Sequence, residues 1–339
     1  MTPPIATAPR DPGLPALARA LDPDAAHRML ETYAAAPLGA RRLLLHGLRL
    51  VRHKPHRRAV VEYRLTVERG DRCDSVTVLA KIRAKGADRA TFRLAHELRA
   101  LGLTERSSDG IAVPEPVALV PEADLWLQRR VPGVPVEVLI RTPEATRAAQ
   151  RAAEALAALH RSGARPARRH TLQDELAILA GWLDVAAAER PRLRRRIERV
   201  GARCREVAAA AGPGRAACLH RDWYHDHVLI RGRLAWILDL DCVAEGEPAL
   251  DVGNFVAHLL ELGLREAGDP DRFAGAAQAF VARALALDPG LSRDAVEAAT
   301  TLALARHLGL SVRLAGRAST TPALLALCER RLGLAGSHP

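Results

Sequence analysis

Residues 218–241 read Cys218-Leu219-His220-Arg221-Asp222-Trp223-Tyr224-His225-Asp226-His227-Val228-Leu229-Ile230-Arg231-Gly232-Arg233-Leu234-Ala235-Trp236-Ile237-Leu238-Asp239-Leu240-Asp241. A polar cluster centred on Asp222 runs into an apolar stretch, then Arg231-Gly232-Arg233, then a second apolar stretch ending at Asp239. Two apolar runs around a Gly turn predict a β-hairpin. A hairpin returns the chain to its starting point, so Asp239 should come back beside Asp222 and His227. Two carboxylates brought together in this way suit a base plus a metal ligand, the pair that phosphoryl transfer requires.

This stretch resembles the catalytic loop of the kinase superfamily, His-Arg-Asp followed five residues after the Asp by Asn. His220, Arg221 and Asp222 match, and His227 stands where the family has Asn. Asp239 occupies the place of the family's metal-binding Asp. Leu238-Asp239-Leu240 and Gly246-Glu247-Pro248-Ala249-Leu250-Asp251-Val252-Gly253-Asn254 are similar to segments of the aminoglycoside phosphotransferase and choline kinase branch. Asp-Phe-Gly and Ala-Pro-Glu, marks of the protein kinases, do not occur. More weakly, the resemblance extends over roughly residues 40–265.

Working outward, three β-rich runs (43–51, 59–67 and 75–82) are separated by Pro55-His56-Arg57 and Gly70-Asp71 turns. The resemblance makes residues 53–58 the nucleotide-covering loop, with basic side chains in place of glycines. Val78-Leu79-Ala80-Lys81 matches the family's third-strand lysine motif, which implies that Lys81 holds nucleotide phosphates. Residues 88–101 read as a helix whose apolar side carries Phe92, Leu94, Leu98 and Leu101. Glu97 lies three residues after Leu94 and four before Leu101, so it is expected to face inward and to need a cationic partner. Lys81 is the expected partner. Residues 125–133 resemble the hinge strand between kinase lobes, which assigns Gln128, Arg129 and Val131 to the nucleotide base. Beyond them the chain reads as almost wholly helical: 143–162, 171–188, 190–211, 251–266, 270–286, 291–314 and 322–334.

Composition bounds these readings. The chain has 339 residues, nearly half of them apolar, enough for two lobes with sizeable cores. Five scattered cysteines form no C-x-x-C pair and suit reduced thiols in the cytoplasm. No apolar run is long enough for a membrane span. The formal net charge is +11, but acids are interspersed and no aromatic stacking set accompanies the arginines, so no nucleic-acid partner is expected.

The resemblance implies an α+β, bilobal, protein-kinase-like fold: a small antiparallel β lobe with one helix, and a large, mainly helical lobe. We divide the chain into a Pro-rich segment and short helix (1–39), a nucleotide-binding lobe (40–130) and a helical lobe (131–335). Residues 1–15 are expected to be loosely attached. The implied activity is ATP-dependent transfer of the γ-phosphate to a hydroxyl of a small molecule. Asp222 would be the base, with His220 positioning its loop; Asp251 would brace that loop. Asp239 and His227 would hold Mg²⁺. Imidazole nitrogen suits Mn²⁺ better than Mg²⁺, so Mn²⁺ is the alternative ion, and a catalytically weak or inactive nucleotide-binding protein is the alternative function. A third reading takes His220, Asp222, His225 and His227 as ligands of a metal-dependent hydrolase.

Overall fold

The structure, a computed structural model, describes residues 11–211 and 214–334. The chain forms two compact units: Met1–Ala100 with Val113–Pro132, and Leu101–Ala112 with Gly133–Pro339.

The first unit is built on a five-stranded sheet. Its order is Arg42–Lys54, Arg58–Arg69, Arg72–Arg83, Leu125–Arg129 and Pro116–Val120, and every neighbouring pair is antiparallel. Side chains alternate between faces along a strand. Ala59, Val61, Tyr63, Leu65 and Val67 therefore turn inward together, as do Val76, Val78, Ala80 and Ile82. The expected turns are present. His56 adopts φ 58° in the first, and Gly70 adopts φ 58° in the second, a region open to glycine at little cost. Helices Ala16–Leu21 and Pro23–Ala34 cover the sheet, and Leu14, Leu17 and Leu30 enter its core. The Tyr63 hydroxyl donates to the Ala20 carbonyl at 2.8 Å, which satisfies its one polar atom inside that core.

Of the Pro-rich start, residues 1–10 lie outside the described residues. Residues 11–15 are held down, not loosely attached. The Asp11 carboxylate accepts from the backbone of Gly13 and His56, each at 2.9 Å, and lies 2.7 Å from His53 Nε2. Leu14 is buried beside it. The helix Ala16–Leu21 has six residues, too few for a periodic signal in the sequence.

The second unit is mainly helical: Ala145–His160, Leu172–Glu189, Arg194–Ala211, Pro248–Ala267, Ala274–Leu287, Arg293–Arg313 and Thr321–Arg331, with a short Val136–Leu139. The helix Leu172–Glu189 opens with a capping box, Thr171 and Asp174 each satisfying the other's backbone N–H. Leu179, Leu183, Val200, Leu302, Leu304, Leu308 and Leu324 fill the core between these helices. Gly253 lets Pro248–Ala267 and Arg293–Arg313 approach closely: a Cβ there would stand 2.4 Å from the Thr300 nitrogen.

Two small sheets carry the polar segments of this unit. In one, Val228–Arg231 pairs antiparallel with Leu234–Ile237, the expected hairpin, flanked by Val134–Pro135 and by Ile111–Ala112. In the other, Ala244–Gly246 lies between Arg169–His170 and Ala217–Leu219. Strands of two or three residues carry no readable alternation, so this second sheet is absent from the sequence reading.

Candidate active site

The strand Ala217–Leu219 delivers His220 to a loop whose shape is held by one carboxylate. Asp251 sits in the first turn of Pro248–Ala267, fully buried. Its Oδ2 accepts from the His220 backbone N–H at 2.7 Å and lies 2.9 Å from His160 Nε2. Its Oδ1 accepts from the Arg221 N–H at 2.7 Å. The positive end of a helix favours a carboxylate at this place. The two backbone bonds hold Arg221 at φ 66°, a left-handed conformation that a side-chain-bearing residue adopts only under constraint. The sequence places Asp251 as a brace; it contains nothing that points to His160, 91 residues away, as its partner.

His220 is a fixed strut. It is fully buried, its Nε2 donates to the Leu238 carbonyl at 2.7 Å, and its Nδ1 accepts from the Asp222 N–H at 3.3 Å. Both ring nitrogens are thus engaged, one as donor and one as acceptor, which is the neutral imidazole. Burial, and then the neighbouring His227, push its pKa below the ordinary histidine value. A neutral ring tied at both ends links the Asp222 backbone to Leu238.

The hairpin register explains how the acidic residues meet. Val228 pairs with Ile237, and the Leu238 N–H donates to the His227 carbonyl at 2.9 Å. Asp239, the next residue, is left-handed at φ 56° and turns its carboxylate toward the loop. His227 lies between the two acids: its Nδ1 is 3.8 Å from Asp222 Oδ2, and its Nε2 is 3.6 Å from Asp239 Oδ2. Its Nδ1 is also 2.7 Å from the backbone carbonyl of Asp222. A carbonyl only accepts, so Nδ1 carries the proton and Nε2 faces Asp239. Tyr224 packs on the imidazole with ring centroids 4.2 Å apart. The Asp222 side chain remains about half exposed, at 46 %. A divalent cation could be held by the Asp239 carboxylate together with the Nε2 lone pair of His227, a mixed O/N set that suits Mn²⁺ at least as well as Mg²⁺.

The four-residue hydrolase set does not converge. Both ring nitrogens of His220 are engaged, and His225 Nδ1 is 2.8 Å from Asp226 Oδ1. Among the described residues, the one group of three metal-ligating side chains is Glu137, His225 and Asp226. It excludes His220, Asp222 and His227.

In the first unit, Lys81 is half-buried on Arg72–Arg83, opposite Trp126 in register, with Nζ 4.8 Å from the centre of the indole ring. Gln128 is buried on the adjoining strand and pairs with Leu79. Arg129 is anchored by Glu115 through both its guanidinium and its backbone N–H. Val131 is buried just before the chain leaves this unit after Pro132. Glu97 does not face inward. The buried stripe of Arg89–Ala100 is Thr91, Leu94, Ala95 and Leu98, and Glu97 is exposed. Leu101, taken as part of that stripe, is 47 % exposed. The stripe follows the i, i+3, i+4, i+7 spacing from Thr91; it keeps the expected Leu94 and Leu98 and has Thr91 and Ala95 in place of Phe92 and Leu101.

A family model for the phosphotransferase enzyme family matches residues 62–288, about two thirds of the sequence, and the chain belongs to that family. No curated protein matches it. Solved structures share its fold. Choline kinase from Cryptosporidium parvum is 11 % identical, with a TM-score of 0.59 over 91 % of this chain and 95 % of that one. A glucosamine kinase in complex with glucosamine, ADP and inorganic phosphate is 17 % identical, with a TM-score of 0.55 over 89 % and 84 %. A thermostable mutant of an aminoglycoside phosphotransferase, in its apo form, is 14 % identical, with a TM-score of 0.53 over 87 % and 96 %. The fold is therefore α+β and protein-kinase-like, as the sequence implies.

Proposed function

We propose that this member of the phosphotransferase enzyme family transfers the γ-phosphate of ATP to a hydroxyl group of a small molecule. The observation that carries the reading is the hairpin register, which sets Asp239 and Asp222 on either side of His227. Asp222 accepts the proton of the acceptor hydroxyl. The acceptor oxygen bonds to the γ-phosphorus as the bond from that phosphorus to the β,γ-bridging oxygen breaks, and ADP leaves. His220 and Asp251 hold the Asp222 loop at its backbone. Asp239 and His227 would hold the divalent cation, which when bound neutralises phosphate charge.

In the first unit we assign Lys81 to the phosphates, with exposed Glu97 as its partner. We assign Gln128, Arg129 and Val131 to the nucleotide base. ATP as donor is supported by the ADP bound to the related glucosamine kinase. The acceptor is a small molecule, as in that same structure. None of the five cysteines is in a disulfide, which suits a reducing, cytoplasmic setting. No helix among the described residues is long and apolar enough to cross a membrane.

A second reading, a nucleotide-binding protein without turnover, rests on His227. A nitrogen ligand stands where the family has an amide oxygen, and its other nitrogen is engaged by Asp222. Incubating the purified protein with ATP, pools of hydroxyl compounds, and Mg²⁺ or Mn²⁺ separates the two. Phosphorylated product supports the first reading. Nucleotide binding without any product supports the second.

A further inference from the structure

We propose that Asn254 and Arg306 are positioning residues for the catalytic loop, acting through the backbone of Trp223. The inference rests on the assignment of Asp222 as the base. Asn254 is buried on Pro248–Ala267, one helical turn after Asp251. Its Nδ2 donates at 3.0 Å to the carbonyl of Trp223, the residue that follows Asp222. Asp251 therefore holds the loop on the N-terminal side of Asp222, and Asn254 holds it on the C-terminal side.

A side-chain amide can bind in either of two orientations, one of which would set an oxygen against the Trp223 oxygen. Arg306 removes that freedom. Its Nη2 donates to Asn254 Oδ1, and a guanidinium has only donors to offer. The amide oxygen must face Arg306, so the NH₂ must face Trp223. Arg306 is itself fixed: its Nη1 donates to Glu175 Oε1 at 2.9 Å, and Glu175 Oε2 is 2.9 Å from His170 Nε2. His170 belongs to the small sheet whose strand Ala217–Leu219 leads into His220. The chain of bonds runs from the catalytic loop to the small sheet that leads into it. Gly253 permits the close helix approach that brings Asn254 and Arg306 together.

Asn254→Asp discriminates positioning from bulk stability. The carboxylate gains an ion pair with Arg306, but its second oxygen repels the Trp223 carbonyl. Three measurements are compared with wild type: melting temperature, amide hydrogen exchange of residues 219–228, and steady-state phosphotransfer. The melting temperature should not fall. Exchange in the loop should accelerate, and kcat should drop by about 10- to 100-fold with KM for ATP unchanged. Arg306→Lys, which still donates to Oδ1, should retain more kcat than Arg306→Met. Wild-type exchange and wild-type kcat in Asn254→Asp would overturn the inference. So would a loss of kcat that merely follows a loss of melting temperature. If the wild-type protein phosphorylates no acceptor, the functional reading fails separately. The exchange measurement then decides the positioning role alone, with faster loop exchange supporting it and wild-type exchange overturning it.

Discussion

The imidazole Nδ1 of His227 donates to the backbone carbonyl of Asp222 across 2.7 Å, so the residue standing in place of the family's Asn also ties down the candidate base. The same ring turns Nε2 toward Asp239. Ligand chemistry then sets an expectation for His227→Asn. An amide oxygen is a harder donor than imidazole nitrogen. The wild type should favour Mn²⁺ over Mg²⁺ more strongly than the variant, and Mg²⁺-dependent turnover of the variant should be equal or higher. Initial rates of both proteins under each metal test this; an unchanged metal preference would remove His227 from the cation site.

Asp239→Ala should abolish the enhancement of ATP binding by metal. Asp239 supplies a carboxylate oxygen that the hairpin brings to His227, with its backbone left-handed at φ 56°. Calorimetric titration of ATP with and without Mg²⁺ is the measurement. Equal enhancement in the variant would place the cation elsewhere.

Asp251→Ala should unfold more readily and lose activity together. The variant leaves the buried N–H groups of His220 and Arg221 without an acceptor, at about 1–3 kcal/mol each. The expected result is a lower urea midpoint. A variant as stable as wild type would show that water or a shifted loop replaces the carboxylate.

Stability should decline on the acid side. Burial, and then the charge of Arg306, push the pKa of His307 down from 6.5 to about 3. His220 is shifted in the same direction by burial. A lowered histidine pKa means that the unfolded chain takes up protons first as pH falls. Stability is therefore complete above the unfolded value near 6.5 and is lost below it, by about 1.4 kcal/mol per pH unit for each such ring. Urea midpoints at pH 8 and pH 5 should differ accordingly. His307→Leu should flatten the slope, because its buried Nε2 has no hydrogen-bond partner to lose. A slope unchanged by that substitution would contradict the assignment.

Local order made the hairpin and the three long strands readable. Each alternates or turns within a few residues, and the side chains that decide it are neighbours in sequence. Asp239 could be placed beside His227 for the same reason. What the sequence hid is long-range or marginal. The link from His160 to Asp251 spans 91 residues, and that from Asn254 to Arg306 spans 52. Glu97 was misread because Leu101, counted as part of the buried stripe, lies past the end of the helix and is 47 % exposed; without it the stripe is Thr91, Leu94, Ala95 and Leu98, and Glu97 falls off its edge. The tethering of residues 11–15 depends on Asp11 meeting His53 and His56, a contact no pattern announces.

The central claim is that Asp222 serves phosphoryl transfer to a hydroxyl. Its most direct test is acceptor phosphorylation by wild type and Asp222→Asn, with ATP, Mg²⁺ or Mn²⁺ and pooled small hydroxyl compounds, read by mass spectrometry. Asn keeps the size of the Asp222 side chain, which is about half exposed, and leaves in place the backbone N–H that donates to His220 Nδ1. The account predicts phosphorylated product from wild type, and turnover lower by about 10²- to 10⁴-fold in a variant that still folds and binds ATP. Product formed equally by both proteins would contradict it.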